Sequence, residues 1–296
     1  DWRVCVDAVH PHLMENGSEF TVVACIGAQG VGKSTALSLL LASLRGILDS
    51  SRGDRKQNSA DFEAPLDIRS MQSFLEGVPS PGVDLCVSTL DRLLLLDAQP
   101  LFGDTSEAEL RSELHFLLFL TSICHTLIVV TDTQVDLQLL KLMRLLATLK
   151  SKVPDLATWV HRQEKAEVRE ALPRLVFAFN DRSSLTDHDL FAPAQRFLEH
   201  TPWKATPTEF VRIPEISGSS VREMLTGSEA YSAGMRLREC VCSGSSLGRF
   251  GKDGLQLTER EWLFHISGYW EFVQKVPIIQ ECFSTRNIES YGWPKF

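Results

Sequence analysis

The chain has no excess of positive charge: 30 lysines and arginines stand against 38 aspartates and glutamates, a formal net charge of −8 over 296 residues. A broad basic footprint for nucleic acid is therefore missing, and direct RNA or DNA binding is not expected. It also has no uninterrupted apolar run of membrane-spanning length. The best candidate, residues 114–130, is short and is broken by His115, Thr121, Ser122, His125 and Thr126. It reads as the end of a helix followed by a buried strand, with no membrane partner. Its eight histidines show no H-x-x-x-H or H-E-x-x-H spacing, and Cys240-Val-Cys242 lacks a second ligand pair, which argues against metal catalysis. No internal repeat is present. The seven cysteines are odd in number and scattered; Cys25 and Cys124 lie in apolar runs where a reduced thiol acts as a small hydrophobe, so a reducing, cytoplasmic location is expected. The chain begins at Asp1 without a methionine, as a fragment of a longer protein would.

What is there is a folded-protein composition, 44% hydrophobic and 23% charged, and one complete motif. Thr21-Val-Val-Ala-Cys-Ile26 is an apolar strand that runs into Gly27-Ala-Gln-Gly-Val-Gly-Lys-Ser34, the spacing G-x-x-x-x-G-K-[ST] of a phosphate-binding loop. Glycines let such a loop curl so that successive N–H groups point at phosphate oxygens. The expected phosphate ligands are Gly27, Gln29, Gly30, Val31, Gly32, Lys33, Ser34 and Thr35, with Lys33 supplying a charge and Ser34 a hydroxyl for magnesium. A helix over 36–44 places its positive end under the phosphates.

Beyond the loop, residues 46–80 are polar, punctuated by Gly and Pro, and read as a long, mobile, switch-like loop. Strands are predicted at 83–89 and 92–97 as a hairpin, then at 126–131, 174–180 and 209–214. Helices are predicted at 106–124, 135–150, 187–200 and 219–242. Residues 151–171 are charged and read as an insertion. Alternating strands and helices around a phosphate loop predict an α/β fold of P-loop NTPase type: a mainly parallel sheet with helices on both faces, over residues 1–250. Residues 251–296 read as a C-terminal helical extension. There Thr258 is an N-cap, Glu261 completes a capping box, and Trp262, Ile266, Tyr269, Trp270 and Val273 recur at helical spacing.

The nucleotide chemistry beyond the loop is incomplete. Asp97, ending a buried strand, stands where a magnesium-associated aspartate is usual. GTPases follow it with D-x-x-G, whose glycine N–H senses the γ-phosphate; here the four residues are Asp97-Ala-Gln-Pro100, and proline has no N–H. Gln99 precedes the sensor position and reads as a polar loop residue. Ser80 is the nearest candidate for a switch hydroxyl on magnesium. The guanine-selecting N-K-x-D becomes Asn180-Asp-Arg-Ser183, so Asn180 and Asp181 are the base-contact candidates and either GDP/GTP or ADP/ATP can be the purine nucleotide. No catalytic residue is identified.

Several of these pieces, in order, resemble one family, the SMG-nine factors of nonsense-mediated mRNA decay, G-domain-like regulatory subunits of the SMG-one kinase complex. The pieces are the phosphate loop, Gly82-Val-Asp84, Leu94-Leu-Leu-Asp-Ala-Gln-Pro100, Cys124-His-Thr-Leu-Ile-Val-Val130 with Asp132, Asp136-Leu137, Leu175-Val-Phe177 with Asn180, and Leu257-Thr-Glu with Trp262 and Trp270. The resemblance implies heterodimerisation with an SMG-eight partner, nucleotide held for structure or regulation, and restraint of the SMG-one kinase. The leading expectation is a pseudo-GTPase interaction subunit. The rivals are an active, dynamin-like P-loop GTPase or ATPase and a small-molecule kinase, although no arginine lid R-x-x-R-x-x-x-R is visible.

Overall fold

A computed structural model describes residues 13, 19–44, 83–88, 91–102, 107–132, 136–160, 172–180, 183, 185–214, 228–242 and 257–284. The loop expected at 46–80 and the second half of the segment read as an insertion lie outside these residues.

Six strands form one sheet: β1 (Thr21–Ile26), β2 (Val83–Ser88), β3 (Leu93–Ala98), β4 (Thr126–Thr131), β5 (Arg174–Asn180) and β6 (Thr208–Ile213), in the order β2-β3-β1-β4-β5-β6. Only β2 is antiparallel, paired with β3 in the predicted hairpin; the other pairings are parallel. The sheet is thus mixed, mostly parallel and α/β, as the strand and helix alternation predicts.

The four inner strands β1, β3, β4 and β5 are buried on both faces because both faces carry helices, whereas the edge strands β2 and β6 are largely half-buried. In β1, Val22, Ala24 and Ile26 enter the larger core while Val23 and Cys25 enter the smaller one on the opposite face. The same alternation divides Leu94 and Leu96 from Leu93 and Leu95, and Leu175, Phe177 and Phe179 from Val176 and Ala178. The smaller core is covered by α1 (Lys33–Leu44) and α6 (Ser228–Cys242). The larger one takes α2 (Glu107–Ile123), α3 (Leu137–Lys150), α4 (Leu156–Val160), α5 (Asp187–Glu199), α7 (Glu259–Gln274) and α8 (Pro277–Ser284).

Two local features differ from the sequence reading. Residues 151–160 are woven into the core rather than standing off it: Val153 and Leu156 are fully buried, and Lys150 Nζ meets Asp155 Oδ1 at 2.7 Å and donates to the Val153 carbonyl at 2.9 Å. Val153, Leu156, Ala157, Trp159 and Val160 make this first half of the segment apolar, and α4 carries most of them onto the larger core; most of the charged residues lie in the half that follows. A 3-10 turn at Pro202–Ala205 buries Trp203, whose indole N–H donates to the Met143 carbonyl at 2.7 Å.

Helix α7 begins as predicted: the Thr258 hydroxyl accepts from the Glu261 N–H, and the Glu261 carboxylate accepts from the Thr258 N–H at 2.8 Å. It docks on α2, where Trp262 Nε1 donates to the Ile123 carbonyl at 3.1 Å, one of the carbonyls a helix end leaves unpaired. Arg92 on the β2–β3 turn pairs with the buried Glu259 at 3.0 Å. Cys124-His125 lies at this same lower end of the sheet. His125 Nδ1 accepts from the Val22 N–H at 2.8 Å, and the His125 N–H donates to the Val22 carbonyl at 2.8 Å, so the residue splices β4 to β1.

Candidate functional site

In an open parallel sheet, ligands sit beyond the carboxyl ends of the strands where the strand order reverses. Here that point is the end of β1, because the chain leaves β1 for β2 and β3 on one side and returns to β4 on the other. Three sequence-predicted elements converge there: the phosphate loop after β1, Asp97 on β3 and Asn180 ending β5.

The loop can turn at these positions only because they are glycines. A Cβ on Gly27 would collide with the Val130 carbonyl oxygen. Gly32 has φ +97°, and a Cβ there would come 2.6 Å from Asn180 Nδ2. Gly30, by contrast, has open space where a Cβ would be, on the exposed crest of the loop beside exposed Gln29.

Lys33 folds its side chain back along the loop, donating to the Gly27 carbonyl at 3.1 Å and the Ala28 carbonyl at 2.8 Å. Burial lowers its pKa, and the nearby Cys25 and Asp97 oppose that shift. A partly desolvated ammonium is poised to gain from an anion. The helix that follows carries no acidic residue in its first turn. The first N–H groups of that helix have no intrahelical acceptor. Positive helix end, a first turn with no acidic residue of its own, buried ammonium and open crest together fit a bound phosphate chain.

Ser34 Oγ donates to Asp97 Oδ2 at 3.0 Å, joining residues 63 positions apart. A hydroxyl and a carboxylate held side by side, next to the place for phosphate oxygens, fit a hydrated magnesium ion that takes its remaining ligands from water and phosphate. Val31 is buried and anchors the loop in the smaller core, while Thr35 is half-buried on the first turn. Ser80 and Asp181 lie outside the described residues, so their places near magnesium and base are not seen.

Asn180 is turned to the loop: its Nδ2 donates to the Val31 carbonyl at 3.1 Å. It braces the phosphate loop against β5. Ser183 is exposed, and the segment around it is tied down by Arg212 of β6, which donates to the Leu185 carbonyl at 2.7 Å and meets Asp187 at 3.3 Å.

The structure adds a contact that the motif search missed. After Asp97 the chain does not swing away. Leu101, buried in the larger core, forms a parallel bridge with Ala28, and its N–H donates to the Gly27 carbonyl at 3.0 Å. Phe102 follows with φ +62°, and its N–H donates to Glu113 Oε1 at 2.6 Å. The acid is 4% exposed in the middle of α2. A glutamate among leucines and phenylalanines was the available signal, since a carboxylate is buried only where donors meet it.

Among the described residues no group of three or more His, Cys, Asp and Glu side chains could hold a metal ion by itself. Nor, among them, is any helix long and apolar enough to cross a membrane.

The Smg8_Smg9 family model matches residues 98–203. The nonsense-mediated mRNA decay factor SMG9 of Salmo salar is 27% identical over 201 residues, covering 61% of this chain and 36% of that protein. SMG9 of Xenopus tropicalis is 27% identical over 162 residues, covering 47% of this chain and 28% of that protein. The chain therefore spans about a third of the length of these relatives. Among solved structures, the Arl6 BBS3 small GTPase from Trypanosoma brucei superposes with a TM-score of 0.38 at 13% identity, covering 76% of this chain and 99% of that one. The chain is thus similar, over residues 98–203, to the Smg8_Smg9 family and, at 27% identity, to SMG9 nonsense-mediated mRNA decay factors.

Proposed function

We propose that the chain is a nucleotide-binding pseudo-GTPase, a regulatory and interaction subunit that holds a purine nucleotide with magnesium and turns it over slowly or not at all. One observation carries this reading. A complete phosphate cradle, with Lys33 on the loop and Ser34 bonded to Asp97, stands beside Pro100 at the position where a working GTPase presents an N–H to the γ-phosphate. Affinity for phosphates and sensing of the third phosphate are separate functions of such a site, and the residues support only the first.

The likeness to SMG9 factors supports a place in nonsense-mediated mRNA decay, with the SMG-eight factor and the SMG-one kinase as protein partners in this reading; the scattered cysteines of the sequence are the ground for the cytoplasm as location. Residues 1–250 serve in this reading as the G-domain-like unit and 251–296 as its helical extension. No direct contact with nucleic acid is part of it.

The test is to purify the chain, identify the nucleotide that accompanies it by mass spectrometry, and follow that nucleotide for hours with added magnesium. A purine di- or triphosphate with negligible turnover is expected. Steady multiple turnover, abolished by Lys33→Ala, would make the chain an enzyme and overturn the proposal. Restoring the sensor N–H alone is expected to leave the chain inert, because the next position, where GTPases carry the glutamine that orients water, is Leu101. Turnover of Pro100→Gly should therefore stay within about tenfold of the unaltered chain, a barrier change of less than ~1.4 kcal/mol. A larger gain would mean that the missing N–H was the whole defect.

A further inference from the structure

The stretch after Asp97 is the segment that moves in a switching G-domain, yet here each end of it is fastened. Asp97 is tied to Ser34 at 3.0 Å. Leu101 is tied to Gly27 by its N–H at 3.0 Å, bridges Ala28, and seats its side chain, 1% exposed, in the larger core. Between the two, Pro100 has a fixed φ and no N–H to offer a ligand.

Phe102 then takes φ +62°, a conformation that costs energy for a residue with a Cβ and persists only where the surroundings impose it. Two contacts fix it: the Leu101 bridge to the phosphate loop on one side and Glu113 on the other. The carboxylate accepts from the Phe102 N–H at 2.6 Å and is itself 4% exposed, so the acceptor side of this part-buried bond is withdrawn from water. Phe102 and Leu101 are adjacent, so the acid on α2 holds the Leu101 N–H against the phosphate loop from the far side. A carboxylate bonded to a backbone N–H in a dry site is among the stronger neutral-to-charged contacts a protein makes.

We propose that residues 97–102 form a permanently fastened strut between α2 and the phosphate loop, with Glu113 as its positioning residue, and that the site therefore takes nucleoside di- and triphosphates without discriminating between them. The inference rests on the nucleotide-binding reading above and gives it a mechanism. A switch needs two arrangements of this segment whose relative energies the γ-phosphate can change. Both ends of the strut are bonded without ligand, and Pro100 offers the third phosphate no N–H through which to pull on it.

The experiment is hydrogen–deuterium exchange of the unaltered chain, read over residues 98–102, without nucleotide and with GDP, ADP, GTPγS or ATPγS plus magnesium. Slow exchange at Leu101 and Phe102 is expected without ligand, unchanged by any of the four. Rapid exchange in the free chain, or protection gained only with a triphosphate, would overturn the strut. Calorimetric affinities for di- and triphosphate of the same base should agree within about tenfold, and a larger preference for triphosphate would overturn the lack of discrimination.

Glu113→Gln keeps an acceptor oxygen and should retain both slow exchange and affinity. Glu113→Leu keeps the bulk but accepts nothing; it should speed exchange at Phe102 and weaken nucleotide binding by about tenfold, the worth of one buried hydrogen bond. Indistinguishable behaviour of the leucine variant would remove Glu113 from the proposal. Should that variant fail to fold, the exchange pattern of the unaltered chain still decides. A chain that binds none of the four nucleotides would overturn the functional reading and the lack of discrimination with it, while its exchange rates would judge the strut separately.

Discussion

Lys33→Ala is expected to lower affinity for nucleoside di- and triphosphates by about 100-fold or more while leaving the fold standing. The ammonium lies 3.1 and 2.8 Å from the Gly27 and Ala28 carbonyls, at the base of the loop where phosphate oxygens would arrive. Charge-assisted hydrogen bonds of this kind are worth roughly 1.5–3 kcal/mol each, so losing one or two accounts for the factor. Stability should change by less than about 1 kcal/mol, because two effects oppose each other. The Ala28 carbonyl loses a donor, whereas burial of the charge, which is itself unfavourable, disappears. Gly27 keeps the Leu101 N–H as a partner.

The pKa direction gives the sign of a pH effect. Burial lowers the folded-state pKa of Lys33 below its unfolded value, so the unfolded chain holds more protons between the two values. The cost of burying the charge is present at neutral pH and is relieved as pH rises through the folded value. Nucleotide affinity should accordingly fall on the alkaline side at a pH below the ordinary lysine range. Isothermal titration of both chains against one diphosphate, with denaturant unfolding of each, checks all three statements. Unchanged affinity in the alanine variant would mean that the loop does not hold phosphate.

Trp262→Ala is expected to destabilise the chain by about 4 kcal/mol, within the 3–5 kcal/mol typical of truncating a buried aromatic. The indole is fully buried, sits edge-on to Phe20 with ring centroids 6.4 Å apart, and donates to the Ile123 carbonyl. Truncation would leave a cavity at the junction of β1, α2 and α7 and strand that carbonyl. Against a typical total of 5–15 kcal/mol, this is a large share. Denaturant unfolding followed by both tryptophan fluorescence and circular dichroism measures it. A loss below about 1 kcal/mol would show that α7 rests on the sheet without contributing to its stability. If α7 were a detachable appendage, the two probes would separate into two transitions; a single shifted transition is expected.

The relative legibility of these two sites is instructive. The phosphate loop was readable because its requirements are local: glycines where the backbone must turn sharply, and a lysine and serine within the next few positions. The sheet was readable because strands covered on both faces need apolar residues at every position, as in Leu93-Leu-Leu-Leu96, and because helix and strand alternate. The capping box at Thr258 and Glu261 is local in the same way. The burial of Trp203 was not readable, since it stands alone in a polar, turn-forming stretch with no period to follow; Leu156, Ala157, Trp159 and Val160 do recur at helical spacing, but the charged run after them obscured so short a helix.

The sequence by itself determined that a phosphate loop leads into a helix, that the sheet is mostly parallel with helices on both faces, and that position 100 is a proline with no N–H to offer a ligand. Only the tertiary structure decided where the polar groups find partners. Asn180 meets Val31 across 149 residues and Trp262 meets Ile123 across 139, pairings set by strand order and helix docking. The same closure turned Cys124-His125 into a splice between strands and gave the buried Glu113 its backbone donor. The physical reason is that local patterning records which face of an element is apolar. The partner of a buried hydrogen-bonding group depends on what the whole chain brings to that face.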